Sequence, residues 1–140
     1  MATLKISDLS VGDWVEYEGL HYPITFVGYG EGGDGSLVNL IRPDLSCFTC
    51  KISDISPIPI TAEILEKNGF KDVSGGLFRY EREWRDDKIA VMLCSFDEEL
   101  WFVDFDFRGG RCVHTNIPIF YINQLQHILR LAGVDKEINL

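Results

Sequence analysis

Leu100-Trp101-Phe102-Val103-Asp104-Phe105-Asp106-Phe107 is the stretch on which the fold turns. Its alternation puts Trp101, Val103, Phe105 and Phe107 on one side of a strand and Phe102, Asp104 and Asp106 on the other. A strand with one apolar and one acidic side suits an antiparallel sheet covered on one face only. Two further β-rich runs precede it, Leu77 to Trp84 and Lys88 to Cys94. The connections Arg85-Asp86-Asp87 and Ser95 to Glu99 make the three an antiparallel meander. Along the first connection Arg79, Arg82, Arg85 and Lys88 alternate with Glu81, Glu83, Asp86 and Asp87, the pattern of a solvated hairpin rather than a phosphate track.

Helices flank this meander. Thr61 reads as an N-cap ahead of Ala62-Glu63-Ile64-Leu65-Glu66-Lys67-Asn68, with Gly69 as the stop, and Glu63 near the positive helix end. From Phe120 to Ala132, Ile122, Leu125, Ile128, Leu129 and Leu131 recur at helical spacing before Gly133, so this helix is expected to pack across the meander. A short terminal strand is expected at Glu137 to Leu140.

Before Pro57-Ile58-Pro59-Ile60, an extended passage that cannot continue a helix, the chain holds only short β-rich runs. These are Trp14 to Tyr17, Tyr22 to Tyr29, Leu37 to Ile41 and Cys47 to Ile52, with Gly30 to Gly35 as a glycine-rich hairpin tip. Lys5-Ile6-Ser7-Asp8-Leu9-Ser10 nearly recurs as Lys51-Ile52-Ser53-Asp54-Ile55-Ser56, and reads as two similar turns bracketing these strands. The expected fold is therefore α+β. A small, curved, β-barrel-like half over 1–59 precedes an α-β-β-β-α half over 60–140, the two expected to share one core in a single compact unit.

Composition bounds the function. The chain has 140 residues, 46% apolar and 25% charged, which is globular rather than disordered. A net charge of −9 and a pI of about 4.7 repel phosphate backbones and anionic headgroups, so neither nucleic acid nor membrane is expected as a partner. No basic start with an apolar run opens the sequence, and no stretch approaches the roughly 18 apolar residues of a membrane span. A cytoplasmic location is expected, with Cys47, Cys50, Cys94 and Cys112 as reduced thiols.

Ile6-Ser7-Asp8-Leu9-Ser10-Val11-Gly12-Asp13-Trp14-Val15, Ile58-Pro59-Ile60-Thr61-Ala62-Glu63-Ile64-Leu65 with Asn68-Gly69-Phe70, and Tyr121-Ile122-Asn123-Gln124-Leu125-Gln126-His127 follow one another along the chain. In this order they resemble a family of short uncharacterised proteins from Bacteroidetes genomes and their phages. The resemblance implies a histidine in many relatives where this chain has Asn123, and an accessory role of phage or mobile-element origin, with no established activity.

Each chemical motif has a plainer reading beside it. Gly28-Tyr29-Gly30-Glu31-Gly32-Gly33 matches the glycine spacing of a dinucleotide loop, but a strand follows rather than a helix, and Glu31 and Asp34 repel phosphate. Cys47-Phe48-Thr49-Cys50 has zinc-knuckle spacing, with Cys94, Cys112 and His114 available to complete a site. On a strand, however, an offset of three sends the two thiols to opposite faces, so no metal and no cofactor are assigned. Asp97, Glu98, Glu99, Asp104 and Asp106 form the densest acidic patch. Asp104 and Asp106 could bind a cation or do acid-base work, and are equally what a solvent face looks like. His21, His114 and His127 complete no catalytic constellation.

The leading reading is a non-enzymatic interaction module that binds a protein partner, or itself, through a surface mixing rings and acids: Phe102, Asp104, Asp106, Tyr121, Gln124 and His127. A variant is an acidic mimic of nucleic acid. A second class is a small-molecule binder or hydrolase using a cleft between the two halves, lined by rings with Asp104 and Asp106. A nucleic-acid-binding barrel, the third class, lacks a basic stripe.

Overall fold

The computed structural model describes residues 4–29, 36–84, 87–95, 97, 99–107, 111–134 and 136–140. The glycine-rich tip 30–35, the Arg85-Asp86 connection and the side chains of Arg82, Glu83, Asp87 and Lys88 lie outside that description, and with them the dinucleotide-like spacing and most of the alternating hairpin charges. The chain is built of antiparallel sheets with two helices and divides into two units, Met1–Ile58 with Tyr121–His127, and Pro59–Phe120 with Ile128–Leu140. None of the described helices is long and apolar enough to cross a membrane.

In the first unit β1 (Trp14–Tyr17), β2 (Leu20–Tyr29), β3 (Ser36–Ile41), β4 (Cys47–Lys51) and β5 (Ile55–Ser56) form one sheet in the order β4-β3-β2-β1-β5. Glu18 and Gly19, at φ 49° and 79°, join β1 to β2 with two positive-φ residues, the backbone of a tight hairpin matched to strand twist. Both Ile-Ser-Asp copies form a 3-10 turn, at Ile6–Asp8 and Ile52–Asp54, so the repeated sequence does take a repeated shape. The barrel expected here is not closed. The end strands β4 and β5 do not pair, and the two-residue β5 offers too little ladder to seal a seam. The bend survives as a register shift in β2 between Ile24 and Phe26. Val15, Ile24, Val38, Leu40, Cys50 and Ile55 fill the core.

The second unit holds α1 (Ala62–Lys67) and a second five-stranded sheet. Its strands are β6 (Lys71–Asp72), β7 (Leu77–Trp84), β8 (Asp87–Ser95), β9 (Trp101–Phe107) and β10 (Arg111–Ile119), in the order β10-β9-β8-β7-β6. The Thr61 hydroxyl accepts the Ile64 N–H at 3.2 Å, and Gly69 follows α1 at φ 87°, as the sequence indicated. Trp101, Val103 and Phe105 are buried on the side assigned to them, while Phe107 at the strand end is half-buried.

In this unit two strands went unread, so the α-β-β-β-α pattern gains β6 and β10; in the first unit β5 fell in a segment read as a turn. β6 is too short to carry a period, and β10 loses its alternation at a bulge. Pairing with β9 breaks between His114 and Pro118, Asn116 stands at φ 53°, and the Thr115 hydroxyl donates to the Val103 carbonyl at 2.8 Å across the gap. The expected terminal strand is absent among residues 136–140. Asn68 instead grips Asn139 through two backbone bonds of 2.8 and 2.7 Å, which draws Ile138 into the interior. The last helix, α2, runs over Ile122–Leu131, with Leu131 fully outside its apolar stripe and exposed.

Candidate functional site

The residues expected to form one surface divide between the units. Phe102, Asp104 and Asp106 belong to the second, Tyr121, Gln124 and His127 to the first.

On β9, Asp104 lies directly across from His114 of β10 and Met92 of β8, and Asp106 from Cys112 and Ala90. The His114 Nδ1 to Asp104 Oδ1 distance is 3.1 Å. An Arg79 guanidinium nitrogen lies 3.7 Å from Asp106, while Arg79 Nε donates to Glu81 at 2.6 Å. Asp106 thus meets the guanidinium of Arg79 on β7, two strands away, and Asp104 meets the imidazole of His114 on the adjacent β10, an ordinary cross-strand pair on a solvated face. The pairing of Arg79 and His114 with these carboxylates escaped the sequence reading because the partners are distant in the chain and meet only through the sheet. Phe102 is half-buried on the same side.

At the start of α2, Tyr121 is the cap residue and its N–H donates to Gln124 Oε1 at 3.1 Å, half of a capping box. Two of the six candidates therefore do structural work at a helix end. His127 is different. Its Nε2 stands 2.7 Å from Oδ2 of Asp13, whose side chain is fully buried and also accepts the Ser10 N–H at 2.8 Å. Asp13 sits at the end of a Ser10-Val11-Gly12-Asp13 turn in which Gly12 has φ 91°, the third position of a type II turn. Neighbouring Asn123 is buried, donates weakly to the Asp8 carbonyl at 3.3 Å, and has no partner for its Oδ1 among the described residues.

A ring cluster that the sequence reading did not single out lies at the margin of the first core. Tyr17 of β1, Tyr22 of β2 and Phe48 of β4 have centroid separations of 6.4, 5.4 and 5.1 Å, at tilted or edge-to-face angles. The signal for the first two was available: a two-residue turn at Glu18-Gly19 sets Tyr22 opposite Val15, diagonal to Tyr17. Phe48 arrives from a remote strand and carried no local signal. The Arg42 guanidinium lies over the Phe48 ring, 4.2 Å from its centroid, steadied by a 3.3 Å bond to the Ser46 hydroxyl. Glu18 first, then burial, with smaller contributions from Cys50 and Asp54, hold the Tyr17 phenol above its ordinary pKa.

Cys47 is exposed and Cys50 buried, the opposite faces that their spacing on a strand demands. All four cysteines are free thiols, and among the described residues no group of three or more His, Cys, Asp or Glu could hold a metal ion.

No family model, curated protein or solved structure matches the chain.

Proposed function

We propose that this chain is a protein-interaction module whose first unit recognises a basic segment of a partner through Tyr17, Tyr22 and Phe48. The observation that carries the reading is Arg42 over the Phe48 ring: one face of the cluster already holds a guanidinium of the chain itself. Aromatic faces attract cations through their quadrupole, and arginine is the cation most often found there. Glu18 and Asp54 add negative potential, and the net charge of −9 steers basic partners toward the protein at long range. This cluster is a different surface from the one read in the sequence at Phe102, Asp104, Asp106, Tyr121, Gln124 and His127. The bend in β2 supports a curved, barrel-like platform for it. A cytoplasmic setting and an accessory role of phage or mobile-element origin accompany the proposal.

The test is titration of the labelled protein with a short Arg- and Lys-rich peptide, followed by NMR at the three rings. Binding should weaken as salt rises, and Tyr22→Leu should reduce it. Arg42→Ala should strengthen it by vacating the Phe48 face. Unmoved ring signals, or binding that Arg42→Ala weakens, would sink the proposal.

A further inference from the structure

The geometry points to a second binding site, in the second unit, for an uncharged planar nitrogen heterocycle of nucleobase or nucleoside size. A cavity of about 520 Å³ opens there between the start of α1 and the edge of the sheet at the β6–β7 turn. This is within the range of small-molecule sites, which combine apolar walls with a few placed polar groups.

The apolar wall is a ring pair. Phe78 and Trp101 both line the cavity, their centroids 5.7 Å apart and their planes tilted by 59°. Both side chains are only 3% exposed, so each shows the cavity a ring margin rather than a full face. The turn contributes Gly75 and Gly76, at φ 47° and 99°. A Cβ built on Gly75 meets nothing within 4 Å, so this part of the rim is open.

The polar groups narrow the ligand. Ser95 of β8 lies directly across from Trp101 of β9, and both line the cavity. Ser95 Oγ and Trp101 Nε1 are two of three buried side-chain polar atoms without a hydrogen-bond partner among the described residues. Buried polar atoms are nearly always paired, and the indole nitrogen can only donate, so it requires an acceptor. Neither atom is open to solvent as the structure stands. The proposed site therefore requires a rotamer change at Ser95 and a turn of the indole as the ligand seats.

Asp72 decides the charge. Asp72 lines the same cavity at its exposed rim, its carboxylate accepts the Ser74 N–H at 3.2 Å, and no described cation pairs with it. A phosphate or carboxylate ligand would meet it as a like charge, in a protein already at −9. The acceptor for Trp101 is therefore a carbonyl or ring nitrogen, and Asp72 with the Thr61 hydroxyl is placed to bond ligand N–H and N groups. Adjacent acceptors and donors on one flat ring define a nucleobase-like edge.

Titration of ¹⁵N-labelled protein with adenosine, guanosine, cytidine and uridine tests this through the indole N–H signal of Trp101, assigned with Trp14→Phe and Trp84→Phe. At least one nucleoside should shift that signal saturably, with Kd below about 1 mM. Its 5′-monophosphate should bind at least tenfold more weakly at low salt, and Asp72→Asn should bring the two within about threefold of each other. Ala62→Phe, at an exposed rim position, should abolish the shift while leaving the thermal midpoint unchanged. No saturable shift with any of the four, a shift that survives Ala62→Phe, or tighter binding of the monophosphate would overturn the proposal.

Discussion

His127 Nε2 and Asp13 Oδ2 stand 2.7 Å apart across 114 positions of sequence, tying the last helix to the first turn within one unit. The Asp13 side chain is 0% exposed and that of His127 30%, against 29% and 62% for Asp104 and His114 in the other His–Asp pair. The same chemistry thus occurs once in the interior and once at the surface. Replacing Asp13 by Ala leaves the Ser10 N–H and the imidazole without their shared acceptor, at a cost of about 2 kcal/mol. Asp104→Ala should cost less than about 0.5 kcal/mol. Urea unfolding of both variants, and a double-mutant cycle on each pair, checks the contrast; equal couplings would contradict it.

Asn68 should act as the clasp of the C-terminus. Its amide bonds both the N–H and the carbonyl of Asn139 as well as the Ile64 carbonyl at 2.8 Å, all part-buried. Asn68→Ala is expected to lose about 2 kcal/mol and to expose the last residues. Carboxypeptidase trimming and amide exchange over 136–140 should accelerate in the variant.

Asn123 presents the opposite case, because only one end of its buried amide is bonded. Asn123→Leu should therefore change stability by no more than about 1 kcal/mol in either direction, since a half-satisfied polar group is replaced by an apolar one of similar volume. A loss of more than twice that in thermal or urea unfolding would show that Oδ1 has a partner in solution.

The four thiols should separate in reactivity. Burial, with a smaller contribution from Asp54, pushes the Cys50 thiol up, while Cys47 and Cys112 are exposed. Since the thiolate is the nucleophile, timed iodoacetamide labelling with peptide mapping at mildly alkaline pH should modify Cys47 and Cys112 at least about tenfold faster than Cys50.

Asp97 supplies a pH dependence. It accepts the Leu100 and Glu99 N–H groups at 2.8 and 3.0 Å, which hold its carboxyl below the ordinary range. Its contribution is fully present above the unfolded value of about 3.9 and is lost as pH falls through the lower folded value. Asp97→Asn should therefore flatten the acid limb of the stability curve while leaving the slope near neutrality unchanged.

Much of the fold was legible because the relevant physics is local. The alternation from Trp101 to Phe107, the Thr61 cap, the Gly69 stop, the Glu18-Gly19 turn and the twin Ile-Ser-Asp turns each act within a few residues, and each appears where the pattern placed it. β10 was not legible, since its bulge and Pro118 erase the period of two, and its pairing with β9 comes from the sheet rather than from its own residues.

The candidate sites divide along the same line. That Asp104 and Asp106 share a face was in the sequence; that Arg79 and His114 compensate them was not. Of Tyr121, Gln124 and His127, all read as contact residues, the first two cap a helix and the third meets Asp13.

By itself, then, the sequence determined charge, strand faces, caps and turns, because these depend on side-chain chemistry and backbone preference over short distances. Only the tertiary structure decided which remote groups meet: Phe48 with Tyr17 and Tyr22, Asp13 with His127, Asn68 with Asn139, and Ser95 and Trp101 at the wall of a cavity. Register and packing join positions dozens of residues apart, and no pattern along the chain encodes those distances.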